Sequence, residues 1–178
     1  MRERYIIDAN VFIQAKNLHY GFAFCMGFWD WIRAGFDADV IFTTEKVRSE
    51  LVAGHKDDAL RVWAQAMPKA FFLNDEKDLK VMQEYAVCMQ WAYSDTHYLP
   101  KARQTFAEAN RADAFLLAYA RAYGHSIVTH EISNPEKKKE IPIPDAARKI
   151  GGIKTVTIYE LLRKHARGTF EFYPDGTV

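Results

Sequence analysis

Four acidic side chains are spaced so that strand ends and helix faces can bring them together: Asp8, Glu50, Asp113 and Glu131. Asp8 follows the apolar run Tyr5-Ile6-Ile7, and Glu131 comes just after Ile127-Val128-Thr129, so each acid stands at the carboxyl end of a short β-rich run. Asp113 shares a helical stripe with Leu116, Leu117 and Ala120, in a first turn where the helix dipole favours negative charge. Glu50 follows Val47 by one turn and adjoins Leu51, at the edge of another helix's buried face. Clustered carboxylates repel, and their pKa values rise unless a cation neutralises them. An oxygen-only cluster suits Mg²⁺ or Mn²⁺, ions that polarise a phosphoryl oxygen and generate hydroxide from water. Asn10 and Thr129 are uncharged neighbours suited to holding a metal-bound water or orienting a carboxylate. Each also has a plainer reading: Asp8 as a helix N-cap, Glu50 as a solvated charge, Asn10 and Thr129 as local turn bonders.

The elements that must position these groups alternate along the chain. Tyr5-Ile6-Ile7 has no helical gap, as expected for a central strand buried on both faces of a parallel sheet. In such sheets ligands bind beyond the carboxyl ends of the strands. Residues 17–36 are rich in aromatic side chains, and Phe24, Phe28, Trp31 and Ile32 recur at helical spacing. Core packing is expected of these rings; Trp29 or Tyr20, if exposed, offers a surface for base stacking. A strand at Val40-Ile41-Phe42 leads through Thr43 to Thr44, which can cap a helix over 45–53. Helices are expected over 57–67 and 75–93, with Asp75, Glu76 and Asp78 as dipole partners or solvent-facing charges, and a strand at 71–73 between them. Pro100 marks a helix start within 97–109, and Gly124 ends the Asp113 helix. Then come a strand over 126–129, a helix from Ile143 through Ile150, a strand over 155–158 and a last helix over about 159–167. This order predicts one α/β domain over 1–178, a sandwich with a mainly parallel sheet.

Composition sets the limits. The 178 residues are 49% hydrophobic and 26% charged, ordinary for a soluble globular chain large enough for its own core. Cys25 and Cys88 are too few and too far apart for a disulfide framework or a zinc site, and the six histidines have no ligand spacing; His130 alone stands where it could matter. No leader or membrane-spanning run is apparent, so a cytoplasmic location without membrane association is expected. A formal net charge of +1 means that any phosphate-binding surface must be local. Lys138 and Lys139, in the run Lys137-Lys138-Lys139 shortly after Glu131, are candidate phosphate contacts; the alternative is a solvated loop. No P-loop and no G-x-S-x-G elbow is present.

Asp8-Ala9-Asn10-Val11-Phe12-Ile13, Glu50, the stretch from Asp113 to Ala120, and Val128-Thr129-His130-Glu131 together resemble the ordered motifs of PIN-domain ribonucleases. Ala15-Lys16-Asn17, Gly27-Phe28-Trp29-Asp30-Trp31 and the Thr-His-Glu resemble more narrowly the DUF4411 branch. The resemblance covers nearly the whole chain. It implies a three-layer α/β/α sandwich and Mg²⁺- or Mn²⁺-dependent endonucleolytic cleavage of RNA. It also implies the toxin role of a bacterial toxin–antitoxin pair acting on structured RNA, with an antitoxin protein as partner and a homodimer as assembly. By position Asp8, Glu50 and Asp113 match the three core acids of that superfamily, while Glu131 stands where many members have Asp. A PIN-like module that binds RNA or protein without cutting is the alternative, and DNA is the alternative substrate.

Asp145 competes with Glu131 as the acid completing the site, although Asp at a helix start is commonly a cap or dipole partner. On that reading Glu131→Gln weakens metal binding more than Asp145→Asn, which costs no more than about 1 kcal/mol of stability if its amide still caps. The aromatic segment 20–36 is a candidate dimer surface if part of it is exposed.

Overall fold

The computed structural model describes residues 2–108 and 112–176. Five short strands form its central sheet: β1 (Tyr5–Ile7), β2 (Ile41–Thr44), β3 (Phe72–Leu73), β4 (Ser126–Val128) and β5 (Lys154–Val156). Their order is β3-β2-β1-β4-β5 and every pairing is parallel. The continuous apolar run of β1 is explained by its place at the centre, with all three residues buried. Ile7 lies opposite Val128, and Val128 opposite Val156, so three strands end in step. Backbone bonds carry that register one residue further: Asp8 N–H donates to Val128 and Thr129 N–H to Val156, both at 3.0 Å.

Helices cover both faces to make a three-layer α/β/α sandwich: α1 (Ala9–Gln14), α2 (Met26–Asp37), α3 (Glu45–Val52), α4 (Ala59–Ala66), α5 (Leu79–Ser94), α6 (Pro100–Phe106), α7 (Asp113–Tyr123), α8 (Ile143–Ile150) and α9 (Ile158–His165). Side-chain caps set several of their starts. Thr44 accepts from Val47 N–H, Asp58 from Leu60 and Arg61, and Thr157 shares a reciprocal capping box with Glu160. Gly124, at φ 71°, supplies the left-handed residue that ends α7. Among the described residues no helix is long and apolar enough to cross a membrane.

Three local expectations need correction. Helix α5 begins at Leu79, capped by Asp78, and Asp75 is buried rather than solvent-facing. Its carboxylate accepts from the backbone N–H groups of Lys46 and Glu76, tying the α3 start to the approach to α5. Phe24 is 74% exposed and precedes α2, because the chain after α1 makes a π-helical turn (Ala15–His19) and a loop before helix resumes. Trp29 is buried, as core packing of these rings requires, its indole N–H donating to the Tyr20 carbonyl at 2.7 Å, and the alternative of a stacking surface there falls away. The last helix stops at His165, and a small antiparallel hairpin follows, β6 (Ala166–Arg167) and β7 (Glu171–Phe172). Phe172 packs against Trp31 and His165, which explains why this polar segment folds back. The end of the segment expected over 97–109, with Asn110 and Arg111, lies outside the described residues.

Candidate active site

The acids are assembled from the carboxyl edge of the sheet. Asp8 immediately follows β1 and occupies the N-cap position of α1, yet its side chain makes no well-formed capping hydrogen bond; the backbone N–H of Asn10 only eases its charge. Instead, Thr129 donates its hydroxyl to Asp8 Oδ2 at 3.1 Å from the end of β4. The same Thr129 oxygen accepts from Glu131 N–H at 3.1 Å, so one hydroxyl orients Asp8 and shapes the turn that carries Glu131. Thr43 fixes the other side, donating to the Ile7 carbonyl at 2.6 Å. Asn10, two residues after Asp8, is exposed.

Burial pushes the Asp8 carboxyl up to about 8, with the charges of Asp113 and Glu131 adding to it against the Thr129 and Asn10 hydrogen bonds. Glu131 is also raised, first by burial and then by Asp113 and Glu140, against the Ile143 N–H and Lys137. Asp8, Asp113 and Glu131 therefore sense one another's charge. Glu50 approaches from α3, its Oε1 accepting from Ala112 N–H at 3.0 Å, at the residue preceding Asp113. That bond places a carboxylate at the positive end of α7. Glu131 Oε2 accepts from Ile143 N–H at 2.5 Å, at the start of α8.

A cleft of about 340 Å³ opens over this rim, lined by Asp113, Glu131, Lys137, Lys139, Glu140, Thr105 and Ile141. Lys139 faces the cleft; Lys138 is exposed but outside it, its carbonyl accepting from Leu99 N–H. Lys137 also lines it and pairs with Glu140 at 2.5 Å. Asp8 is buried, and neither it nor Glu50, which bonds the residue before Asp113, lines the cleft wall. A second, shallower cleft of about 230 Å³ meets the first at Glu131 and Ile132 and is lined by Thr129, Thr155, Thr157 and Glu160. Sequence reasoning named Thr129 and Glu131 but missed the rest of that cleft, and Thr105 in the first; the Thr157-x-x-Glu160 capping signature was a local signal for its far side.

Asp145 is separate in role. It is fully buried and accepts from Ser133 Oγ at 2.6 Å, Asn134 N–H at 2.8 Å and Arg148 at 3.0 Å, pinning the loop after Glu131 to α8.

The donor set suits a hard divalent cation: oxygen ligands only, two of them carboxyls whose charge is costly without one. Among the described residues no group of three or more His, Cys, Asp or Glu side chains is already arranged to hold a metal ion. Asp8, Glu50 and Glu131 each engage a protein donor, to Thr129, Ala112 and Ile143, and mutual repulsion works against closer approach.

No curated protein matches this chain. A family model described as a domain of unknown function, DUF4411, matches residues 5–169, a span that contains all four acids. The chain belongs to the DUF4411 family.

Proposed function

We propose that this protein is a PIN-like, metal-dependent endoribonuclease that hydrolyses RNA phosphodiester bonds. The observation carrying this reading is the convergence of Asp8 after β1, Asp113 at the start of α7 and Glu131 after β4 on the carboxyl rim of a parallel sheet, beside a cleft that Asp113, Glu131 and Lys139 line. Asp8, Glu50, Asp113 and Glu131 would hold Mg²⁺ or Mn²⁺. When bound, the ion supplies Lewis-acid polarisation of the phosphate and lowers the pKa of the attacking water. Thr129 keeps Asp8 aimed at the rim, and Glu50 holds the α7 start so that Asp113 stays beside Glu131. Lys139 offers its ammonium to a phosphate in the cleft, as a point charge.

The second reading is a binding module that holds RNA or protein without cutting. It is favoured by the protein donors that already engage Asp8, Glu50 and Glu131. Calorimetric titration with Mn²⁺ separates the two: saturable binding by wild type, lost in Asp113→Asn, supports the nuclease, and no uptake by folded wild type supports the module. As the toxin of a bacterial toxin–antitoxin pair, the protein would act as a cytoplasmic homodimer held in check by a small antitoxin. Controlled expression in bacteria tests that role. Growth arrest by wild type but not by Asp8→Asn is expected, and equal growth of both contradicts it.

A further inference from the structure

A chain of rings runs along the rim on the β5 side of the acids. Tyr159, in the first turn of α9, is 42% exposed and has His130 and His19 as ring neighbours, at 6.1 and 6.5 Å between centroids. His19 continues to Tyr20 at 6.1 Å, and Tyr20 stacks at 4.3 Å on buried Phe28. The inner end of the chain is therefore anchored in the core. Its outer end reaches the acids, since His130 lies between Thr129, which bonds Asp8, and Glu131. Thr157 and Glu160, beside Tyr159 on α9 and its cap, line the second cleft, and that cleft joins the first at Glu131. Ile132, 83% exposed, borders both clefts.

Neighbouring rings tilted at 59–69° to one another, two exposed and one half-exposed, beside a groove that carries threonine and serine hydroxyls as well as Glu131 and Glu160, offer separate faces to unpaired nucleobases. Every base has a π-face to stack, while a paired duplex keeps those faces inside. A protein partner would be served equally well by non-planar apolar side chains; four of the five rings here are His or Tyr, Tyr159 and His19 exposed and His130 and Tyr20 half-exposed, with His130 next to the acids.

We propose that Tyr159, His130 and His19 form a stacking platform for the unpaired bases of a single-stranded nucleic acid that crosses the second cleft from the acidic rim. The assignment rests on the nuclease reading of that rim for its ligand class. Its test is independent of cleavage: fluorescence anisotropy of a labelled single-stranded RNA of about 12 nucleotides, in EDTA, with melting curves for every variant. Tyr159→Ala is expected to weaken binding about 10-fold, His19→Ala several-fold, and Tyr159→Phe, which keeps the ring, hardly at all. Binding of a duplex of the same sequence is expected to be unchanged in Tyr159→Ala. Equal binding by wild type and folded Tyr159→Ala, or failure of wild type to bind the strand, overturns the platform. A platform effect without metal-dependent cleavage would overturn the nuclease reading alone. Cleavage with no effect of Tyr159→Ala on binding would overturn the platform alone.

Discussion

Asp8 and Asp145 are both buried, and their surroundings separate their roles. Asp145 has three donors, from Ser133, Asn134 and Arg148, whereas Asp8 has the Thr129 hydroxyl, a weak assist from the backbone N–H of Asn10, and two neighbouring acids. An amide at 145 would turn a donor of its own toward groups that already donate. We therefore expect Asp145→Asn to lose about 2–4 kcal/mol in a denaturant or thermal melt, with Mn²⁺ affinity unchanged. Glu131→Gln should show the opposite pattern, a lower Mn²⁺ affinity at nearly constant stability. Loss of affinity in Asp145→Asn at an unchanged melting temperature would reverse the two roles. The sequence placed Asp145 at a helix start correctly but set its cost at no more than about 1 kcal/mol. Its partners Ser133 and Asn134 lie on a loop whose return to α8 has no periodic signal. Asp8, Glu131 and Asp113 were legible because each ends or begins an apolar element. The burial of Asp75 was not, since its partner at Lys46 belongs to a distant helix.

At the scale of elements, the amino edge of the sheet is built differently from the acidic rim. Glu3, just ahead of β1, accepts from Lys154 on β5, Lys164 on α9, Ser126 on β4 and the Tyr5 hydroxyl. Burial pushes the Glu3 carboxyl up, but these four hydrogen bonds outweigh it and hold the group well below the usual carboxylate range. A depressed folded pKa contributes stability that is full above the unfolded value of 4.5 and fades as pH falls toward the folded one. Glu3→Gln is thus expected to cost about 1–2 kcal/mol at neutral pH, and its deficit against wild type should shrink as the pH drops from about 5 to about 2. A deficit independent of pH, measured by thermal melts across that range, would show that packing rather than charge ties these elements. Most strands and helices were readable from period and caps, as with Thr44 before α3 and Gly124 after α7. The β6–β7 hairpin escaped because two-residue strands carry no period and depend on Phe172 meeting Trp31.

For the whole molecule, a net charge of +1 conceals a division of labour: carboxylates gather at one sheet edge, with Lys137 and Lys139 brought beside them by the loop ahead of α8. The fold class was legible because strands and helices alternate, and the sheet proved wholly rather than mainly parallel. The meeting of α3, α7 and the β4 loop over Asp8 could be anticipated only as a rim, since the bonds from Thr129 to Asp8 and from Ala112 to Glu50 join residues far apart in sequence. The central claim is that this rim cuts RNA with a divalent ion. It is tested most directly by the rate of cleavage of end-labelled RNA by purified wild type, Asp8→Asn and Asp113→Asn, each with Mn²⁺ and with EDTA. Removing an acid from an electrostatic site of this kind should lower the rate at least about 100-fold. The account predicts cleavage by wild type with Mn²⁺ and none in EDTA or in either folded variant. Equal cleavage by all three proteins, or none by folded wild type on single-stranded and structured RNA alike, would contradict it.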